Sequence, residues 1–181
     1  VITTPRTPRP WVNVICPGDW GVILSQTGGG YSWRTHASLN AITRWYQDLV
    51  RDNWGEYIYV RDDRPGEIWS LSWMPVKREP EHYRVRHGLG YSVIESTTAG
   101  ISSKLTVTVP PNEPLELWVV ELKNIRQADR ELSLFTYLEW CLGASPDWHR
   151  EFHRTFIETS IEREISTIWA TKRLWEIPND R

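Results

Sequence analysis

His149 and His153 stand four residues apart in the stretch Asp147-Trp148-His149-Arg150-Glu151-Phe152-His153-Arg154. On a helix that spacing could bring two imidazoles to one metal. In the zinc-protease pattern, however, a glutamate follows the first histidine directly, and here Arg150 stands in that place. The segment also reads as strand or loop, so no metal site is expected. Gly28-Gly29-Gly30 could cradle a phosphate with backbone N–H groups. No Gly-Lys-Ser/Thr follows and no helix opens after it, which makes a structural turn the expectation. Cys141 has His149 nearby but lies in an apolar strand, where cysteine behaves as a small hydrophobe.

Carboxylates are the more serious candidates, because glycosidic chemistry needs two carboxyl groups across the bond to be cleaved, or one acid and an external nucleophile. Asp48, Asp52, Asp62, Asp63, Glu139 and Asp147 are available. Asp48, Asp52 and Asp62 lie close in sequence to Arg44, Arg51 and Arg61. An adjacent arginine lowers a carboxyl pKa, the wrong direction for a general acid. No catalytic residue is therefore assigned. The loop 144–154 is polar, aromatic and basic together. Asp147, Arg150 and Arg154 offer charge-assisted hydrogen bonds to sugar hydroxyls and Trp148 offers a stacking face. These four are the candidate substrate-binding residues. The alternative is a solvated connection with Trp148 folded onto the body of the protein.

The elements that position these groups are strands. Val12–Ile15, Gly21–Ser25, Tyr57–Arg61 and Ile68–Trp73 are strand candidates between turn signals. Tyr83, Val85, His87, Leu89 and Tyr91 alternate on one face; Ile101, Leu105, Val107 and Val109 do the same further on. Leu115–Ile125 is apolar on both faces and is predicted to be central. Residues 124–130 read as a hairpin connection. Leu132, Leu134, Leu138, Trp140 and Leu142 share a face of the next strand, and 152–161 and 165–175 look like two more. Helix is nearly absent, with at most a turn or two in 38–49 capped by Asn40. About nine short strands predict an all-β fold, a large antiparallel sandwich incomplete at its C-terminal end.

Composition narrows the function. The chain has 181 residues, enough for one domain that buries roughly 70% of its unfolded surface. A net charge of −2 with scattered basic residues argues against nucleic acid. No apolar run approaches the ~18 residues of a membrane span. The first eleven residues hold three prolines and no apolar signal-peptide segment, so they read as an extended lead-in. Two cysteines make no disulfide framework, and a reduced, cytoplasmic protein is the expectation. Twelve tryptophans suit a dense sandwich core or a carbohydrate surface. Tyr31, Trp33, Trp45 and Trp54 are the rings that would form such a surface.

The blocks TPRPWVN (7–13), SQTGGGYSW (25–33), RWYQDLVRDNWGEYIYVRD (44–62), EIWSLSWMPV (67–76), YRVRHGLGYS (83–92) and LSLFTYLEWCLGASPDW (132–148) occur in this order. Together they resemble the N-terminal β-sandwich (super-sandwich) domain of glycoside hydrolase family 94. That family holds the cellobiose, cellodextrin and chitobiose phosphorylases and the phosphorylase-like part of cyclic β-1,2-glucan synthases. The stretch EWCLGASPDWHREFH (139–153) looks closer to the longer, cellodextrin-phosphorylase-like members.

The resemblance implies a whole enzyme with an (α/α)6 barrel that bears the catalytic aspartate and is absent from this chain. It implies inverting phosphorolysis of β-linked gluco-oligosaccharides, with inorganic phosphate as co-substrate, no other cofactor, and α-glucose 1-phosphate as product. It implies a homodimer in which one sandwich lies near the partner's active site. The segment FHR (152–154) is where an arginine reaching the acceptor sugar would fall, hence Arg154. Part of a cyclic β-1,2-glucan synthase and a non-catalytic carbohydrate-binding module are the alternatives.

Overall fold

The computed structural model describes residues 1–45, 55–144 and 155–173. These form antiparallel strands joined by turns. In chain order they are β1 (Val12–Ile15), β2 (Trp20–Ser25), β3 (Gly30–Arg34), β4 (Ala41–Thr43), β5 (Glu56–Asp62), β6 (Glu67–Ser70) and β7 (His82–Gly88). There follow β8 (Tyr91–Thr98), β9 (Ile101–Thr108), β10 (Leu117–Asn124), β11 (Leu132–Leu138), β12 (Trp140–Gly143), β13 (Ile157–Glu162) and β14 (Thr167–Lys172). They assemble into sheets of order β1-β2-β3-β4-β12, β10-β9-β8-β7 and β11-β5-β6, with β13-β14 as a separate hairpin. The expected all-β sandwich is what forms.

One core is shared by three sheets. Ile15, Val22 and Leu24 come from the first, Ile58, Val60 and Trp69 from the third, and Val85, Ile94, Leu105 and Val107 from the four-stranded sheet. In β9 every other residue from Ile101 is buried, as period-2 alternation requires. The outer face of that sheet carries a row of alternating charge, with Arg84, Glu95, Lys104 and Glu121 in register across its strands. Opposite charges on neighbouring strands stabilise such a solvated face. The β8–β9 hairpin turns on Ala99 and Gly100, both at positive φ (53° and 76°), as a tight type I′ turn requires.

A second, smaller cluster lies on the far side of β3. Tyr31, Trp33, Ala41 and Cys141 are buried together, with Trp45 against them. Strand β3 thus sends Tyr31 and Trp33 one way and Ser32 the other, toward the main core. The proline-rich lead-in is held by buried Gln26. Its amide donates to the Pro5 carbonyl and Thr7 Oγ1 and accepts from the Trp11 N–H, and the Tyr83 hydroxyl donates to its carbonyl.

Several expectations change. β10 is the outer strand of its sheet, with Leu117 and Val119 about half exposed. Apolarity on both faces indicated burial, but no strand of the described residues covers the outer one. Residues 125–131 carry the chain from β10 in one sheet to β11 in another, so they are a crossover and not a hairpin. The run Tyr83–Tyr91 is broken by a turn at Leu89-Gly90; Leu89 is fully exposed and Tyr91 begins β8 on the outer face. The apolar run 132–142 is cut at Glu139, with β11 paired to β5 and β12 to β4. Residues 71–73 do not continue β6. The expected helical turn near Asn40 is replaced by β4, which pairs with β3 and β12.

Candidate carbohydrate-contact region

Asp147, Trp148, Arg150 and Arg154 lie outside the described residues, as do His149, His153, Asp48, Asp52 and Trp54. The described structure supplies the frame from which segment 145–154 departs and to which it returns. On the departing side, β12 lies beside β4, and Cys141 is buried with its thiol directed at the carbonyls of Gly143 and Ala144. On the returning side, the Arg173 N–H bonds the Phe156 carbonyl at 2.9 Å and closes the β13–β14 hairpin. Lys172 of β14 ties the two sides together, its ammonium donating to the Cys141 carbonyl at 3.1 Å. Both ends of the candidate loop are therefore fixed to one small piece of framework.

The partner of Arg44 is Glu139, at 3.1 Å and largely buried on the arginine side. The Tyr137 hydroxyl donates to the other oxygen of Glu139 at 2.7 Å. Both oxygens of Glu139 are thus engaged within the framework, by an arginine and a tyrosine. Asp62 pairs with Arg130, not with its neighbour Arg61, which instead bonds Asp63 at 2.6 Å. The Asp63 carboxyl lies below its usual range, chiefly through the Ser133 hydroxyl and then through Arg61. Among the described residues no group of three His, Cys, Asp or Glu side chains converges as for a metal ion.

The aromatic platform does not exist as read. Tyr31 and Trp33 are each only 7% exposed, and Trp45 stacks on Tyr31 with ring centroids 5.0 Å apart and planes within 6°. The face a sugar would need is occupied by another ring. The triple glycine is a turn. Ser25 Oγ accepts the N–H groups of Thr27 and Gly29, and the Gly28 N–H bonds the Ser25 carbonyl, so these amides point inward at Ser25 and not at a ligand. A β-carbon on Gly28 would sit 2.2 Å from Ser72 Oγ, which makes close packing its reason.

One acid pair escaped the sequence reading. Glu56 at the start of β5 and Glu116 just before β10 both lie against Ser32 of β3; its Oγ is 2.9 Å from one carboxyl and 2.8 Å from the other. The seam beside Glu56 and Ser32 holds about 160 Å³ of empty space, too narrow for a water molecule, and is lined by Leu24, Tyr31 and Trp118 among others. No sugar reaches it, so it is not a glycosidic site. The available signal was Glu116 set within Leu115-Glu116-Leu117-Trp118, a charge inside an apolar run.

Outward from this framework the surface is unusually apolar. β11 exposes residues from both faces, Leu134 and Leu138 on one and Phe135 and Tyr137 on the other, and Ile161, Ile168 and Trp169 stand out from the β13–β14 hairpin. Residues 1–181 match the sequence profile of the glycosyl hydrolase 94 supersandwich domain. The chain belongs to that family. It is 38% identical over 142 residues to an N,N'-diacetylchitobiose phosphorylase of Vibrio furnissii, an alignment covering 77% of this chain and 18% of that enzyme. It is 34% identical over 145 residues to a solabiose phosphorylase of Paenibacillus borealis, covering 78% and 19%. A cyclic beta-(1,2)-glucan synthase of Rhizobium meliloti is 34% identical over 165 residues, covering 91% of this chain and 6% of the synthase. The chain thus spans less than a fifth of the length of these relatives.

Proposed function

We propose that residues 1–181 are most of the β-sandwich domain of an inverting glycoside phosphorylase. The whole enzyme cleaves β-glucosidic bonds of gluco-oligosaccharides with inorganic phosphate and releases α-glucose 1-phosphate. The observation that carries this reading is the alignment of three-quarters of the chain with enzymes named as phosphorylases. The resemblance to phosphorylases implies a catalytic acid on a separate barrel domain. The acid that protonates the leaving oxygen then belongs to a barrel beyond this chain. The apolar faces of β11 and of the β13–β14 hairpin fit a role as surfaces for that barrel or for a second subunit. Asp147, Trp148, Arg150 and Arg154 would face the acceptor sugar from the loop that β12 and β14 fix at both ends.

A second reading has one observation in its favour. The match to the glucan synthase runs over more of this chain than the phosphorylase matches do. One experiment separates the two. The full-length protein is incubated with phosphate and a panel of β-linked disaccharides, including cellobiose and N,N'-diacetylchitobiose, and sugar 1-phosphate is measured. Phosphate-dependent release supports the phosphorylase; no release from any disaccharide, with cyclic glucan formed instead, supports the synthase. The 181 residues alone should release no sugar phosphate.

A further inference from the structure

We propose that Glu56 and Glu116 hold one proton between them and form, with Ser32, a clamp that joins three sheets and loosens when that proton is lost. The argument begins with counting hydrogens. Ser32 Oγ lies within 2.9 Å of both carboxyl groups, yet a hydroxyl has one hydrogen to give. Were both glutamates ionised, one of these contacts would set a hydroxyl oxygen against a carboxylate with no hydrogen between them. With one carboxyl protonated, that acid donates to Ser32 Oγ, the Ser32 hydroxyl donates to the other carboxylate, and both contacts have their hydrogen.

Among the described residues no other group removes the need for the proton. From β2, the buried Trp20 indole N–H lies near Glu116 but has no hydrogen-bond partner. From β10, the buried Trp118 N–H has no partner. From β3 and β5 come only Ser32 and Glu56 themselves. Among the described residues no lysine, arginine or histidine pairs with either carboxyl, and the narrow seam beside Glu56 is too small for a water molecule. Burial, followed by the charge of Glu56 and the hydrogen bond to it, pushes the Glu116 carboxyl up to about 9; Ser32 and Trp20 act weakly the other way. The clamp ties β3 of the five-stranded sheet, β5 of the three-stranded sheet and the entry to β10 of the four-stranded sheet.

The sign follows from linkage. The folded-state pKa lies above the unfolded value of 4.5, so the proton's contribution to stability is complete below about pH 4.5 and is lost as pH rises toward about 9. Glu116→Gln keeps the shape and a donor but removes the titration. The test compares this variant with wild type in the full-length protein by hydrogen-exchange mass spectrometry on the peptides holding β3, β5 and β10. Relative to wild type, the variant's protection should grow by up to about tenfold per pH unit from about pH 5 to 8. The infrared spectrum of wild type minus variant at neutral pH should also contain the carbonyl stretch of a protonated, buried carboxylic acid. A protection ratio that does not change with pH overturns the proposal. So does a wild-type infrared spectrum without that band, which decides the matter even if the variant does not fold.

Discussion

Gly55 crosses Gly30 backbone to backbone: a β-carbon added to Gly55 would lie 1.9 Å from the Gly30 carbonyl oxygen. This contact brings the start of β5 onto β3 and so sets the distance across which Glu56 meets Ser32. Gly55 also has φ of +127°, where side chains are strained whatever the space.

Gly55→Ala should therefore cost about 3 kcal/mol or more, through overlap with backbone that cannot move aside and through the strained φ. Gly66→Ala is the control: it shares a positive φ (+73°) but points into open space, and should cost about 1–2 kcal/mol. Urea unfolding midpoints measure both. Equal losses at the two positions would show that backbone conformation alone, and not the crossing of β5 over β3, limits Gly55.

Asp62 is almost wholly buried and receives both Nε and Nη2 of Arg130, whose Nη1 donates to the Ala99 carbonyl at 3.0 Å. The pair fastens the crossover between β10 and β11 to the end of β5. Removing one partner leaves a buried charge without compensation, so Asp62→Asn or Arg130→Met should lose about 3–5 kcal/mol. The double variant should recover part of that loss in a double-mutant cycle. Additive losses would show that the two residues act separately.

These two relationships mark what was legible in the sequence. The alternation Ile101–Val109 gave β9 and its buried face because pleating alone decides which side chains share a face. The six ordered blocks gave the family and with it the sandwich. Alternation cannot say what covers a face, so β10 was read as central although it is an outer strand. The inward face passes from odd to even residues across the Leu89-Gly90 turn, but apolar Leu89 and Tyr91 carry the odd-numbered pattern through it, which hides the turn inside one apparent strand. Asp62 was paired with the arginine next to it because sequence shows neighbours; its true partner is sixty-eight residues away. Glu56 and Glu116 were invisible as a pair for the same reason, since only the packing of three sheets brings them to one serine.

His87 ties the β7–β8 hairpin to the lead-in. Its Nε2 lies 3.1 Å from the Trp11 carbonyl and so carries the proton, while Nδ1 accepts from the Ser92 hydroxyl at 2.9 Å. Burial is the main cause that pushes its pKa below the ordinary 6.5; the bond to Trp11 opposes it. The unfolded chain then takes up a proton before the folded one does. Stability from the neutral ring is present above about pH 6.5 and is lost as pH falls through the lower folded value. His87→Gln, which keeps a donor and an acceptor, should flatten this acid limb of the thermal melting profile. An unchanged limb would assign it to carboxylates elsewhere.

The last expectation concerns Arg154 and rests on the phosphorylase reading. Segment 145–154 leaves from β12, which Cys141 buries and Lys172 holds, and returns to the β13–β14 hairpin that the same lysine touches. Arg154→Ala in the full-length enzyme should raise KM for the acceptor sugar in the synthetic direction and leave phosphate affinity nearly unchanged. The loss should be about 1–3 kcal/mol, as for a charge-assisted hydrogen bond whose partner is removed. Arg154→Lys should recover little of it, because an ammonium does not reproduce the planar fork. Wild-type acceptor kinetics in Arg154→Ala would make Arg154 a surface residue and move the acceptor contacts to Asp147, Trp148 or Arg150.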